Sequence, residues 1–175
     1  MHNALIETQR LWLAPITLDD APLHLAICND PDFIKFVRDK GIRTLAQARA
    51  DLAEKVIPHY QQHGHGNLKV MRKDDDLAIG CCGLFKRDYL PYPDIGYAFL
   101  PIGRGAGYVT EAALAVRDYA FTQLQVSHLM GITTPDHQRS IAVLERIGLR
   151  LKGQQKLDGD DELLSIFEMP PPLSS

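Results

Sequence analysis

The sequence predicts a single α/β domain built on one mixed β-sheet. The chain has 175 residues, and single domains commonly hold ~100–200 residues. Its predicted elements follow the order β-α-α-β-β-β-α-β-α-β-β, in which hairpin strands precede a β-α-β-α-β run. This order favours a sheet that is antiparallel in its first part and locally parallel later.

The N-terminal third combines one strand with three helices. The predicted elements are a strand over residues 5–16, a helix from Thr17 to the Asn29-Asp30-Pro31 break, a short helix over 31–37 and a long helix over 44–62. Thr44 and Gln47 have the spacing of a capping box, which marks the start of the long helix. Pro58 predicts a disturbance in that helix, and Gly64 predicts its end.

The remaining chain alternates strands and helices. The predicted strands cover residues 68–71, 77–85, 95–100, 128–133, 149–157 and 163–169, and the predicted helices cover 107–124 and 140–147. Gly148 is a natural left-handed end for the second of these helices. No linker divides the chain, so we expect one domain over residues 1–169 and a loose tail over 170–175.

Composition and charge exclude several classes of protein. Lys and Arg number 19 and Asp and Glu number 22, a net charge of −3, which disfavours nucleic-acid binding. No apolar run approaches the ~18 residues of a membrane span, and the N-terminus has no signal-peptide pattern. Three cysteines without a Cys-x-x-Cys pair favour a reducing cytoplasm and no zinc site. His59 and His63 have a spacing that could hold a metal, but solvated histidines at a helix end are the favoured interpretation.

A glycine-rich stretch after the strand over 95–100 is the most informative motif. Gly103, Gly105 and Gly107 alternate in a loop that opens a helix. Glycines let backbone amides approach an anion, and a helix N-terminus adds about half a positive charge. The pattern indicates a phosphate or pyrophosphate cradle; the alternative is a flexible turn between a strand and a helix.

Two common phosphate motifs do not fit this loop. A P-loop requires Gly-Lys-Ser/Thr, and a dinucleotide fingerprint requires a third glycine where Tyr108 stands. ATP and NAD are therefore poor ligands for it. A coenzyme that carries a pyrophosphate and is not hydrolysed fits better.

The run Gly105-Ala106-Gly107-Tyr108-Val109-Thr110-Glu111-Ala112 resembles the acetyl-CoA motif of GNAT-type N-acetyltransferases. It is closest to the branch that contains the ribosomal-protein N-terminal acetyltransferases. Four further segments are similar to that branch: Thr8-x-Arg10-Leu11, Asp94-Ile95-Gly96-Tyr97, His137-Gln138-Arg139-Ser140 and Val143 to Leu149. The resemblance covers residues 6–168. It implies a GNAT-like mixed sheet, with an antiparallel N-terminal part, a splayed parallel pair at the coenzyme site and helices on both faces.

The resemblance also implies the coenzyme-binding positions. These are Ile102, Gly103, Arg104, Gly105, Ala106, Gly107, Tyr108, His137 and Ser140. Ile102 replaces a family Gln or Arg, so only its backbone amide could bind phosphate, whereas Arg104 replaces an aromatic residue and offers charge. His137 stands at an Asn position, and Leu144 stands where many members carry a general-acid Tyr, which leaves Ser140 as the substitute.

Acyl transfer from a thioester to an amine needs a polarised carbonyl, a neutral amine and a protonated leaving thiolate. By the resemblance, a backbone N–H within residues 96–100 polarises the carbonyl, and Ser140 or a water protonates the thiolate. Asp94 is the candidate base, directly or through a water; its alternative is an exposed acid at a strand start. Ser140 has the alternative of a helix N-cap. Glu111 is expected to be structural, and the role of Tyr97 stays open.

The resulting expectation is a cytoplasmic N-acetyltransferase that uses acetyl-CoA and no metal, by direct transfer in a ternary complex. A protein N-terminal α-amine is the favoured acceptor. The alternatives are a small-molecule amine such as an amino acid, polyamine or aminoglycoside, a non-catalytic acyl-CoA-binding module, and a nucleotide-binding regulator. Residues 30–41, 88–93 and the last hairpin are expected to shape the acceptor site. The acidic turn of that hairpin, Asp158, Asp160, Asp161 and Glu162, could attract a cationic amine, but a solvated turn is the favoured interpretation. A homodimer is an expectation from the family alone.

Overall fold

The computed structural model describes residues 3–156 and 161–173, and these form one mixed sheet with helices packed on it. The strands are β1 (Ile6–Glu7), β2 (Leu11–Pro15), β3 (Asn67–Arg72), β4 (Ala78–Phe85), β5 (Asp94–Phe99), β6 (Leu129–Thr133), β7 (Arg150–Lys156) and β8 (Leu163–Met169). The α-helices are α1 (Ala21–Cys28), α2 (Pro31–Phe36), α3 (Leu45–Asp51), α4 (Ile57–His63), α5 (Tyr108–Thr122) and α6 (Gln138–Arg146).

The sheet order is β1-β2-β3-β4-β5-β6-β8-β7. Every neighbouring pair is antiparallel except β5 and β6, which run parallel. This confirms the predicted mixed sheet. The single strand predicted over residues 5–16 was wrong, because the chain turns at Thr8, whose N–H bonds to the carbonyl of Leu11, and forms a β1–β2 hairpin that pairs Ile6 with Leu13.

The parallel strands touch at one end and then diverge. Their register contains the pair Asp94 and Met130, and the Met130 N–H donates to the Pro93 carbonyl at 2.9 Å. On its other edge β5 pairs with β4 along its whole length, and the Leu100 N–H continues this ladder to the Ile79 carbonyl. Because amide directions alternate along an antiparallel strand, the N–H groups of Tyr97 and Phe99 face the gap that opens towards β6.

Two apolar clusters fix the helices on the sheet. The larger one packs α5 and α6 against β2, β3, β4, β5 and β6, and its members include Leu11, Leu13, Val70, Cys82, Ile95, Ala113, Val116, Leu129, Leu144 and Ile147. The smaller one joins α1 to α3 and includes Ala21, Cys28, Ala48 and Leu52. Cys81 and Cys82 are buried and form no disulfide; they occupy successive positions of β4, whose side chains alternate between the two faces of the sheet.

The long N-terminal helix is interrupted as its proline predicts, but one turn earlier. A π-helical segment, Leu52–Val56, joins α3 to α4, and the Ile57 N–H donates to the Leu52 carbonyl five residues back. Pro58 follows directly; it lacks an N–H, and its ring would clash with the carbonyl four residues earlier. The wider turn accommodates the ring, and Gly64 ends α4 at a φ of 72°.

Some sequence predictions fall outside the described residues. The residues outside the described part are 1–2, 157–160, which include Asp158 and Asp160 of the acidic turn, and 174–175 at the end of the tail. In the part of the chain that the structure describes, no helix has the length and apolar character needed to cross a membrane.

Candidate functional site

A cleft of about 670 Å³ opens where β5 and β6 diverge. Its walls come from the end of β5, the start of α5, the start of α6 and the short helix α2. A volume of this size holds a drug-sized ligand or part of a larger one. The splay between the strands therefore places an open cavity beside unpaired backbone amides.

The glycine loop, residues 103–107, leads into α5 at one wall of this cleft. Gly105 and Gly107 have φ values of 83° and 82°, which side chains other than glycine rarely adopt. Within residues 3–156 and 161–173, the amide N–H groups from Gly105 to Thr110 donate to no carbonyl or side chain. They lie at the N-terminus of a 15-residue helix, where the helix dipole favours an anion.

Not every predicted loop position faces the cleft. Gly105, Gly107 and Tyr108 line it, whereas Ile102 is 55% exposed on a 3₁₀ turn outside its lining. Gly103 is buried, and a Cβ there would lie 2.9 Å from the Cβ of Ile79. The smallness of Gly103 thus serves packing rather than anion contact.

Tyr108 and Ala106 are held by the β1–β2 hairpin. The guanidinium of Arg10 lies 4.3 Å from the centroid of the Tyr108 ring, and its Nη1 donates to the Ala106 carbonyl at 2.9 Å. Ala106 itself is exposed. The hairpin therefore fixes one side of the glycine loop.

Two hydroxyl groups meet at the opposite wall of the cleft. Tyr97 Oη lies 3.1 Å from Ser140 Oγ and donates to the Ser140 carbonyl at 2.9 Å. Ser140 is not the N-cap of α6, as one interpretation of the sequence held; that position is His137, and Ser140 lies in the first turn of the helix. Burial raises the pKa of Tyr97, although the hydrogen bond with Ser140 opposes this, so the phenol keeps its proton at neutral pH.

The sequence allows one inference about Tyr97, namely which residues share its face of β5. Residues of a strand alternate between faces, so Tyr97 shares a face with Ile95 and Phe99. The sequence alone leaves its role open, because Tyr in a strand most often only packs. The contact with α6 depends on tertiary structure.

His137 lines the cleft beside α2. Its ring stacks on Phe36 with centroids 3.9 Å apart and planes inclined by 7°. Burial lowers the pKa of His137, and the nearby Arg139 contributes to this. A neutral imidazole stacked on an aromatic ring gives this wall an apolar, rigid character.

Asp94 lies apart from these groups. It is 1% exposed at the start of β5, and its Oδ1 accepts from Arg87 Nε at 2.8 Å. Burial raises the pKa of Asp94, and Arg87 only partly offsets this. At about 3.3 Å per residue, Asp94 is roughly 10 Å along the strand from Tyr97, at the end where β5 and β6 are joined, and it does not line the cleft.

Arg104 lines the cleft, as predicted, but its guanidinium is paired with carboxylates. Its Nη2 lies 2.5 Å from Asp30 Oδ2 and its Nη1 lies 3.4 Å from Asp32 Oδ2, both at the start of α2. Asp32 also pairs with Arg139 at the start of α6. Helix α2 is thus tied by charge to both the glycine loop and α6.

Three histidines gather at the end of α4. The ring centroids of His59, His63 and His65 lie 4.6–6.0 Å apart. The Nε2 of His59 accepts from the Lys86 N–H, and Nδ1 of His65 faces the Leu84 carbonyl. Among the described residues, no group of three His, Cys, Asp or Glu side chains is arranged to hold a metal ion.

Comparison with known proteins gives consistent similarities. Residues 10–150 match the family model of the acetyltransferase (GNAT) domain. An uncharacterised N-acetyltransferase, p20 of Bacillus licheniformis, is 28% identical over 151 residues, which cover 83% of this chain and 82% of that protein. An acetyltransferase of Agrobacterium tumefaciens str. C58, known from its crystal structure, is 26% identical with a TM-score of 0.79, over 95% of this chain and 94% of that chain.

The fold is also shared with a more distant structure. RimL, a ribosomal α-N-protein acetyltransferase solved in complex with coenzyme A, aligns with a TM-score of 0.80 at 16% identity. The alignment covers 93% of this chain and 95% of that chain. At this identity the similarity concerns the fold.

Proposed function

The chain belongs to the GNAT acetyltransferase family, and from this premise we propose that it transfers the acetyl group of acetyl-CoA to the α-amine of a protein N-terminus. It is an acetyl-CoA-dependent N-acetyltransferase of the GNAT type. The acceptor and the roles of individual residues are the proposed part. The observation that carries the proposal is the row of unbonded amides from Gly105 to Thr110 at the start of α5, a segment in which every residue except Ala106 lines the cleft.

The coenzyme pyrophosphate would bind to these amides. Six consecutive N–H groups, directed by two glycines with positive φ, offer donors without any change of the loop. The helix dipole adds a favourable field for the negative charge. The pantetheine arm would then extend along the gap between β5 and β6 towards Tyr97 and Ser140.

The acetyl carbonyl would be polarised by the backbone of β5. The N–H groups of Tyr97 and Phe99 face the gap and have no partner on β6, because the two strands separate after Asp94 and Met130. A preorganised amide that meets a developing oxyanion stabilises the tetrahedral intermediate. Polarisation of the carbonyl thus depends on the separation of β5 from β6 and requires no side chain.

The acetyl transfer requires the amine to lose one proton and the leaving thiolate to gain one. The amine nitrogen attacks the thioester carbon, the C–S bond breaks, and the coenzyme leaves as a thiolate. The Tyr97 hydroxyl keeps its proton because burial raises its pKa, and it would turn from the Ser140 carbonyl to donate a hydrogen bond to the sulfur as negative charge develops there. The amine loses its own proton to water, and the thiolate gains a proton from water.

The charge of the cleft favours an α-amine over a lysine. The carboxylates that line the cleft within the described residues are Asp30 and Asp32, and both are ion-paired with arginines. Asp94 is outside the cleft and paired with Arg87. Without a free carboxylate base, an α-amine costs about 1 kcal/mol to deprotonate at pH 7, whereas lysine costs about 4–5 kcal/mol.

The test is free-thiol release from acetyl-CoA with a panel of acceptors. The panel holds peptides with free N-termini, the same peptides with a blocked N-terminus and an internal lysine, amino acids, polyamines and aminoglycosides. We expect release with the free N-terminal peptides and a loss of at least 100-fold in the Tyr97→Phe/Ser140→Ala double variant. Release only with blocked peptides or only with small amines would contradict the proposed acceptor. Coenzyme A binding with no release from any acceptor would contradict catalysis.

A further inference from the structure

The glycine loop has very little packing of its own. Gly105, Ala106 and Gly107 are all exposed, and a Cβ added at Gly105 would meet no atom within 4 Å. Glycine-rich backbone loses much conformational entropy when it becomes ordered. The loop is therefore held by its neighbours rather than by a core beneath it.

Two tethers hold the loop, one at each side. On one side Arg10 bonds to the Ala106 carbonyl. On the other side Arg104 folds across to α2 and bonds to Asp30. The Arg104 contact holds the residue just before the unbonded amides of residues 105–110, and the Arg10 contact holds Ala106 within that segment.

Of the ion pairs that join the start of α2 to arginine side chains, the pair of Asp30 and Arg104 is the most buried. The Asp30 side chain is 6% exposed and that of Arg104 is 26% exposed. The neighbouring pair of Asp32 and Arg139 is far more open, at 34% and 60%. Water and salt screen the open pair strongly and the buried pair much less.

Asp30 also has a rigid position. Its side chain caps α2 by accepting from the Phe33 N–H, and Pro31 follows it. A carboxylate fixed at a helix start gives the flexible Arg104 side chain a fixed point. Through that side chain, α2 is linked to residue 104, whose N–H is also bonded to the Pro101 carbonyl.

We propose that Asp30 is a positioning residue: acting through Arg104, it holds the glycine loop in its coenzyme-binding geometry. The inference rests on the proposed function, since it takes the loop as the coenzyme site. Because the ion pair orders the loop before the coenzyme binds, less conformational entropy is lost on binding. Binding is therefore stronger, although the ligand gains no contact. The ion pair also links α2, in the segment expected to border the acceptor, to the coenzyme loop.

The test compares Asp30→Asn, Arg104→Gln and the double variant for their affinity for coenzyme A, measured by titration calorimetry. Asn caps a helix as well as Asp does, so Asp30→Asn removes the charge and leaves α2 capped. We expect each single substitution to raise the Kd for coenzyme A at least fivefold. The double variant should have a Kd no higher than the higher of the two single-variant values. With an acceptor, the KM for acetyl-CoA should rise by the same factor while kcat stays within twofold.

A matched control separates this effect from a general loss of charge. Asp39→Asn removes another carboxylate that pairs with an arginine, Arg43, at 2.6 Å, in the segment that follows α2 and away from the loop. It should leave the Kd within twofold. Hydrogen exchange of the amides over residues 103–108 should become faster in free Asp30→Asn protein and remain unchanged in Asp39→Asn.

Several results would overturn the inference. An unchanged Kd in Asp30→Asn would leave the ion pair with a structural role alone, even if the melting temperature fell. A tighter Kd would mean that Arg104 binds phosphate directly and that Asp30 competes with it. Additive losses in the double variant would mean that the two residues act separately. Failure of the wild-type protein to bind coenzyme A would overturn the proposed function, and this inference with it.

Discussion

Glu111 and Arg10 are joined by two hydrogen bonds, although 101 residues separate them. Glu111 Oε2 accepts from Arg10 Nε at 2.7 Å, and Oε1 accepts from the Arg10 backbone N–H at 2.9 Å. Thr8 Oγ1 adds a third bond to Oε1 at 2.7 Å. The first turn of α5 is thereby fastened to the β1–β2 hairpin, whose Arg10 also holds the glycine loop.

The first prediction follows from this junction. Glu111→Gln weakens three hydrogen bonds to a partly buried carboxylate, so we expect a loss of about 1–3 kcal/mol in the free energy of unfolding. Urea unfolding at pH 7.5 measures it. The exposed residue Glu145, on α6, provides the control Glu145→Gln, which should change stability by less than ~0.5 kcal/mol. Equal stability of the two variants would contradict a structural role for Glu111.

The same junction has a pH dependence. Burial acts to raise the pKa of Glu111, but the bonds from Thr8 and Arg10 outweigh it and lower the pKa below 4.5. The contribution to stability is therefore complete above pH 4.5 and is lost as the pH falls below that value towards the folded-state pKa. The difference between wild type and Glu111→Gln should accordingly shrink on acidification.

This junction shows what the sequence could and could not predict. Thr8-x-Arg10 and Glu111 were each recognised as parts of family motifs, and the helices, the strands and the glycine loop followed from local patterns. Their contact could not be predicted, because it depends on how the hairpin folds over the start of α5. The hairpin itself has the pattern of one strand, since the turn at Thr8 contains no Gly or Pro.

The same limit applies to the candidate site. Gly105, Gly107, Tyr108 and Ser140 were chosen from motifs, and they do line the cleft. Asp94 was chosen because an acid precedes a motif strand, but its ion pair with Arg87 is made by the loop over 86–93, which has no readable pattern. Motif spacing predicts what the backbone brings together locally; ion pairs across loops require the fold.

The second prediction concerns the conformation of the glycine loop. Gly105→Ala places a Cβ at a φ of 83°, which costs about 1–2 kcal/mol although no atom obstructs it. Relief of this strain would redirect the amides over 105–108, so we expect coenzyme A binding to weaken at least tenfold in calorimetry.

Gly64→Ala is the matched control for this variant. Gly64 has a φ of 72° at the end of α4, again with no atom within 4 Å of an added Cβ. Both variants should lose similar stability, but Gly64→Ala should bind coenzyme A like the wild type. Unchanged binding in Gly105→Ala would show that the loop conformation is not needed for the coenzyme.

The third prediction tests whether a tyrosine at position 144, where many GNAT enzymes carry a general-acid tyrosine, increases activity. Leu144 is 1% exposed, and its Cδ2 would lie 2.6 Å from a Cβ at Gly131. Leu144→Tyr would therefore overfill the space against β6 and cost about 1–3 kcal/mol of stability. We expect no gain in kcat for thiol release, because in the proposed mechanism the phenol that meets the sulfur is that of Tyr97. An increase in kcat would assign the proton donor to position 144.

The fourth prediction separates a base from a buried ion pair at Asp94. Asp94→Asn leaves Arg87 without its partner, and we expect a loss of about 3 kcal/mol of stability, with a similar loss in Arg87→Gln. The pH dependence of kcat/KM should keep its acidic limb in both variants. Loss of that limb in Asp94→Asn alone, with kcat reduced by 100-fold or more, would identify Asp94 as the general base.

The fifth prediction concerns a polar cluster between α1 and α3 that is formed by His24, Asp51 and Lys40. His24 Nε2 lies 2.7 Å from Asp51 Oδ2, which also accepts from Lys40 Nζ at 2.8 Å. Burial lowers the pKa of His24 and outweighs the hydrogen bond to Asp51, while Lys40 disfavours the imidazolium further. Neutral His24 therefore donates to Asp51 in the folded protein.

The sign of the pH effect follows from this shift. The folded-state pKa of His24 lies below its ordinary value of 6.5, so the unfolded chain binds the proton first as the pH falls. Stability should be complete above pH 6.5 and should decline below it. Burial lowers the pKa of His59, His65 and His137 in the same way, so their contributions add to that of His24. Urea midpoints at pH 7.5 and 5.5 should differ less in His24→Gln than in the wild type, and an equal difference would mean that His24 takes up a proton without disturbing the cluster.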